Sequence, residues 1–304
     1  VHAAERFAAA GDKSGDFMHI KKILMPVAGG ELREPVMRVA IVTARRFQAH
    51  LEVLCIRPDP REMMPYAALG MSERMRKQVI DAGQRNADEQ VSRARAVFED
   101  TCARWNIPVA DDPQTGQVPS AAWREEAGRG SYIVSRDGRL CDLIILPGPF
   151  DVSPPPRILE AALRETGRPV FVVPETPPKN VATHIAIGWN GTVEAARAVG
   201  SALPLPLQSA QKVSVYTTEK SMQVRPNADE VIEYLGWHGI DASIHVLDVR
   251  DRSVEEAIVE DARKQGVDLL LIGAYSHRRV HEMIFGGVTR HVLASGEIPA
   301  VLVH

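Results

Sequence analysis

Short, almost wholly apolar runs punctuate the chain, and amphipathic stretches separate them. "KILMPV", "LEVLCI", "DLIILP", "PVFVV", "HIAIG", "VSVY", "DLLLIG" and "AVLV" are rich in β-branched residues and only four to six long. Such runs mark strands buried on both faces of a parallel sheet, whereas half-exposed strands would alternate apolar and polar positions. In the N-terminal half the pattern predicts strands near 21–27, 50–57, 107–111, 142–147 and 169–173. Helices are expected over 32–48, 72–104, 119–129 and 156–166. In the C-terminal half it predicts strands at 183–189, 212–217, 241–248, 268–273 and 299–303, with helices at 192–202, 227–238, 253–265 and 288–295. Ser253 followed by Glu256 is a capping box, which places one of these helix starts by a definite mechanism.

The order of elements repeats. "KKILMPVAGG" near Lys21 answers to "THIAIGWNGT" from Thr183, "CDLIILPG" from Cys141 to "VDLLLIGA" from Val267, and "RPVFVVPE" from Arg168 to "IPAVLVH" at the end. Strand and helix alternate in both copies, so the expected fold class is α/β: two tandem, doubly wound parallel-sheet domains of Rossmann-like type. The proline-rich "PETPPKN", Pro174 to Asn180, is the natural seam, giving domains at 20–176 and 181–304. The charged stretch from Ser72 to Trp105, with alternating signs, reads as a solvated helix face. Residues 1–19 lack the apolar centre of a secretory signal and are read as a disordered leader or cloning remnant.

Composition narrows the function classes. With 304 residues, 45% hydrophobic and 25% charged, the chain is of ordinary globular type. A net charge of −3 argues against nucleic acid or an anionic membrane as partner. No apolar run approaches the ~18 residues that a membrane span needs, so a cytoplasmic protein is expected. Three cysteines, Cys55, Cys102 and Cys141, show no metal-binding spacing and read as buried thiols.

The densest chemistry lies in "LLLIGAYSHRRVHEMIFGGVTRHVL", Leu269 to Leu293. A strand stops at Gly273, a basic loop follows, and Gly286 and Gly287 open a helix at Val288 and Thr289. In open α/β sheets ligands bind beyond the carboxyl ends of strands. Unpaired N–H groups and the positive end of a helix dipole attract an anion there, most often phosphate. Ser276 and Thr289 add hydroxyls. A glycine pair before a helix is also compatible with a tight turn and nothing more.

These residues resemble the universal stress protein family, whose nucleotide-binding members carry G-x2-G-x9-G-[ST] between the fourth strand and fourth helix. Gly273, Ser276, Gly286 and Gly287 keep that spacing, with Ser276 in place of the second glycine and Gly287 in place of Ser or Thr. The family's V-D-G-S after the first strand corresponds to Trp189, Asn190, Gly191 and Thr192, so Asn190 replaces an acidic residue associated with the nucleoside. The resemblance covers both halves and implies strand order 3-2-1-4-5 and a tandem family member. It implies a stress-response or regulatory role and one site for ATP, ADP or AMP, with or without Mg, in the C-terminal half. It also implies a pseudo-dimer of the two halves, leaves room for a further homodimer, and implies slow hydrolysis or none.

On this reading Gly273, Ser276, His277, Gly286, Gly287, Val288 and Thr289 lie at the phosphates, and Trp189, Asn190, Thr192 and Tyr216 at the nucleoside. Trp189 and Tyr216 read equally as base-stacking or as packed between sheet and helix. The first half instead carries "PFDVSPPPRILEAALRE" after its fourth strand, with prolines that have no N–H to donate. It reads as a structural or protein-binding copy. His277 and His281 stand four apart near Glu282 and His291, a metal spacing only if the segment were helical. A basic rim with Arg278, Arg279 and Arg290 is the competing account. Asp248, Asp251, Asp268 and Glu282 read as caps and surface charges, or as ligands of Mg through water. No Walker loop, nucleophile elbow or H-E-x-x-H motif occurs. A ligand-free interaction module, a slow nucleotide hydrolase and a site for another small anion stay open.

Overall fold

A computed structural model describes residues 20–28, 32–57, 71–110, 119–148, 156–203, 210–274 and 286–304. In chain order the elements are β1 (Lys22–Ala28), α1 (Glu34–Phe47), β2 (His50–Arg57), α2 (Glu73–Arg104), β3 (Ser120–Ala127), α3 (Gly130–Asp137), β4 (Leu143–Pro147), α4 (Arg157–Glu165) and β5 (Val170–Val173). The second half adds β6 (His184–Gly188), α5 (Val193–Ala202), β7 (Lys212–Thr218), α6 (Glu219–Met222), α7 (Ala228–Trp237), β8 (Ser243–Leu247), α8 (Val254–Lys264), β9 (Leu269–Gly273), α9 (Gly287–Ser295) and β10 (Ala300–Val303). Among the described residues no helix is long and apolar enough to cross a membrane.

All ten strands form one sheet in the order β3-β2-β1-β4-β5-β10-β9-β6-β7-β8. Each half is therefore a parallel sheet, as the alternation of strands and helices predicts, in the order 3-2-1-4-5 that the family resemblance implies. The halves meet antiparallel, Val301 opposite Phe171 and Leu302 opposite Val170. Side chains alternate along each strand, so the sheet buries two cores. Ile23, Met25, Phe171, Ile187 and Val301 face α1, α2, α5 and α7. Leu24, Ile144, Val172, Leu270 and Ile272 face α3, α4, α8 and α9.

A repeated carboxylate sets the register of the first strand of each half against the fourth. Asp142 accepts hydrogen bonds from the N–H groups of Lys21 and Lys22 at 2.8 and 2.9 Å. Asp268 does the same for Thr183 and His184 at 2.9 and 3.0 Å. Asp268 thus acts as a strand-start cap.

One expectation is corrected. The third strand of the first half is not 107–111 but β3, Ser120–Ala127, in the stretch expected to be helical; the helix, α3, follows it. Val109 makes only an isolated bridge to Ala121. "SAAWREEA" has helical propensity, yet it pairs with β2 through all eight residues. Its charges are satisfied across the sheet. Arg124 donates to Glu52 at 2.8 Å and to Glu126 at 2.7 Å, and also pairs with Asp137; Arg136 donates to Glu126 at 2.7 Å. Tertiary pairing outweighs local propensity here.

Candidate functional site at the carboxyl ends of β6 and β9

Strands β6 and β9 are adjacent and parallel, Ile185 opposite Leu269 and Ile187 opposite Leu271. The chain leaves β6 for α5 on one face of the sheet and leaves β9 for α9 on the other. Their carboxyl ends therefore flank the switch point where an open α/β sheet leaves a crevice.

Gly273 ends β9 where there is no room for a side chain. A Cβ there would lie 2.6 Å from the carbonyl carbon of Glu194 and 2.7 Å from the nitrogen of Ala195. The first turn of α5 thus rests directly on the end of β9. Thr192 caps that turn, its Oγ1 accepting from the Ala195 N–H at 3.3 Å. Asn190 Oδ1 in turn accepts from the Thr192 hydroxyl at 2.8 Å and from its N–H at 3.2 Å, across a turn made by Gly191 with φ of +75°. Gly273, Asn190 and Thr192 are therefore brought together at one rim, with Asn190 exposed to solvent.

Trp189 and Tyr216 are placed on opposite faces of the sheet, both buried. The Trp189 indole packs with α5 and α7 and donates its Nε1–H to the Pro226 carbonyl at 2.9 Å. Tyr216 is 1% exposed and lies against His245, ring centres 4.5 Å apart, without a hydrogen-bond partner for its hydroxyl. Burial, with the nearby charge of Asp261, pushes its pKa up to about 12. Asp261 is itself held by His245 and Arg252 at 2.9 and 2.8 Å.

On the far rim, α9 begins at Gly286, an extended N-cap residue with φ −55° and ψ 152°. It has no side-chain cap, and no acidic residue stands in the helix's own first turn. The orphan N–H groups of a helix start thus have no acceptor from the N-cap residue or from an acid of the helix's own first turn. Val288 packs against the core, and Thr289 is 3% exposed, buried in the helix's inner face. Ser276 and His277, with His281, Glu282 and the two arginines between them, lie outside the described residues. Of the remaining acids near the strand ends, Asp248 and Asp268 have partners. Asp248 is paired with Arg250 at 2.9 Å, which holds its carboxyl well below the usual carboxylate range. Among the described residues no group of three or more metal-ligating side chains converges.

One contact has no counterpart in the sequence pattern. The carboxylate of Glu255, in the first turn of α8, lies against Gly287; a Cβ on Gly287 would meet Glu255 Oε1 at 2.5 Å. A cavity of about 200 Å³ lies elsewhere, where α1 meets the linker between halves, with Arg38, Arg46, Phe171 and Val301 in its wall.

Comparisons with known proteins agree with this architecture. Residues 183–304 match the sequence profile of the Universal stress protein family. A universal stress protein of Synechocystis sp. is 27% identical over 149 residues, covering 47% of this chain and 49% of that protein. The match thus spans about half the length of that relative. The crystal structure of a universal stress protein from Archaeoglobus fulgidus superimposes with a TM-score of 0.62 at 14% identity, covering 93% of this chain and 97% of that one. Another from Pseudomonas aeruginosa gives 0.54 at 13% identity, covering 93% of each chain. At these identities the structural likeness speaks for the fold.

Proposed function

We propose, for a chain that belongs to the universal stress protein family, that its second half binds an adenine nucleotide in the crevice between β6 and β9. The role is regulatory, in the response to stress, and the first half serves as a structural partner domain. The observation that carries this reading is the start of α9. It opens at a glycine with no side-chain cap, at the switch point of the sheet, and its own first turn carries no acidic side chain. The corresponding helix of the first half, α4, follows Pro156, which has no N–H to offer. Asn190 and Thr192 at the opposite rim supply an amide and a hydroxyl for the nucleoside. Neither is a general base, in keeping with binding and slow hydrolysis or none.

Thermal-shift and calorimetric titration of the full chain with ATP, ADP and AMP, with and without Mg, tests the proposal. A ligand at a hundredfold excess over its Kd stabilises the native state by about 2.7 kcal/mol. Gly286→Pro is the informative variant. The φ of −55° already suits proline, a Cβ at this position meets nothing within 4 Å, and the change removes one N–H. Binding at least tenfold weaker in this variant is expected. Absence of any nucleotide-induced shift in the wild type would leave a ligand-free interaction module instead.

A further inference from the structure

The geometry points to Glu255 as a built-in competitor for the ligand at the first turn of α9, an inference that rests on the nucleotide site proposed above. Three observations combine. First, α8 starts at a fixed point: Ser253 Oγ accepts from the Glu256 N–H at 3.3 Å and Glu256 Oε2 accepts from the Ser253 N–H at 2.9 Å. That reciprocal cap occupies Glu256 and leaves its neighbour, Glu255, to reach across to α9. Second, the Glu255 carboxylate lies so close to Gly287 that a Cβ would stand 2.5 Å from Oε1 and 3.1 Å from Cδ. Third, α9 has neither a side-chain cap nor an acid of its own in the first turn. The positive end of a helix favours a carboxylate, and here the carboxylate comes from another helix.

Glu255 and Gly287 are thus complementary. The Ser or Thr hydroxyl that the motif places at position 287 would donate to a phosphate; in this chain that space holds an acceptor-only anion. A phosphate arriving at the first turn of α9 must share the helix end with this like charge, which costs affinity. The penalty grows with the charge of the phosphate tail, so the site favours AMP over ATP more than a site without Glu255 would.

The test is calorimetric affinity of the full-length protein for ATP, AMP and adenosine in EDTA, in the wild type, Glu255→Gln and Glu255→Ala. Both variants should bind ATP about tenfold tighter than the wild type, AMP less so, and adenosine unchanged. Their ligand-free melting temperatures should fall below the wild type's, because α9 loses its borrowed acid. Equal ATP affinity in wild type and variants overturns the proposal, as does tightening of the same size for adenosine, which reports packing alone. If ATP binds the wild type and the variants equally, only the competition falls. If ATP binds none of the three proteins, the nucleotide site itself falls and takes the competition with it.

Discussion

A methyl group added at Gly273 would have to fit against main chain that cannot swing aside. The added Cβ would stand 2.6 Å from the Glu194 carbonyl carbon and 2.7 Å from the Ala195 nitrogen, whereas carbon contacts settle near ~3.5–4.0 Å. Gly273→Ala therefore forces the end of β9 and the first turn of α5 apart by roughly 1 Å. Overpacking of this kind costs about 1–3 kcal/mol, and because both neighbours are backbone the upper end applies. In a chain of this size about 3 kcal/mol lowers the melting temperature by roughly 5 °C. The control is Gly200→Ala, within α5, where a Cβ meets nothing within 4 Å. It should raise stability by up to about 1 kcal/mol, because alanine is the better helix former. Urea unfolding of the three proteins gives the midpoints, with slopes expected to be unchanged. A Gly273→Ala protein as stable as the wild type would mean that α5 does not rest on β9, and the rim formed by Asn190 and Thr192 would lose its footing.

Two further expectations follow from the buried thiols and from the strand-start carboxylates. Burial pushes the thiol pKa of Cys55 and Cys102 up to about 11 and that of Cys141 to about 12, so the reactive thiolate is scarce in the native state. At pH 8 a disulfide reagent should therefore find no reactive thiol in the native protein and all three in denaturant; one thiol titrating promptly without denaturant would contradict the burial. Asp142→Asn and Asp268→Asn each weaken the carboxylate that holds two strand-start amides, at a cost of about 1–3 kcal/mol. The two sites lie in different halves, so the double variant should show close to the sum in urea unfolding, and no effect from either change would refute the pinning role.

The second half was readable from its sequence to within two residues at nearly every strand, because its apolar runs are short, β-branched and bounded by glycine, proline or a cap. The third strand of the first half was hidden by its composition. "SAAWREEA" is built of good helix formers, and only pairing with β2 and the ion pairs of Arg124 make it a strand. The glycines of the crevice could be found because a missing side chain leaves a mark on the sequence. The position of Trp189 could not, since a residue just past a strand end has no periodicity to assign its face; Pro226, which receives its indole N–H, lies far along the chain. Glu255 was invisible for a related reason. Its partner is the bare backbone of Gly287, and a contact of that kind carries no residue pattern of its own.

The way the halves join bears on why only one of them has an open helix start. Strands β5 and β10 pair antiparallel, while all strands within a half run parallel. Every carboxyl end in the first half therefore points opposite to every carboxyl end in the second. The region beyond Pro147, where α4 follows Pro156, and the crevice beyond Gly273, where α9 follows Gly286, lie at opposite edges of the sheet. Neither can complete the other, so each loop is free to change without disturbing its counterpart. What both halves must keep is the joint. Val170–Val173 and Ala300–Val303 are buried along their whole length, and unpaired they would present two apolar strand edges open to association with other chains. Covering the β10 edge is a sufficient reason to retain a first half whose own helix start is closed by proline. On that argument the first half contributes to the crevice indirectly, by holding β10, and through it β9 and Gly273, in place.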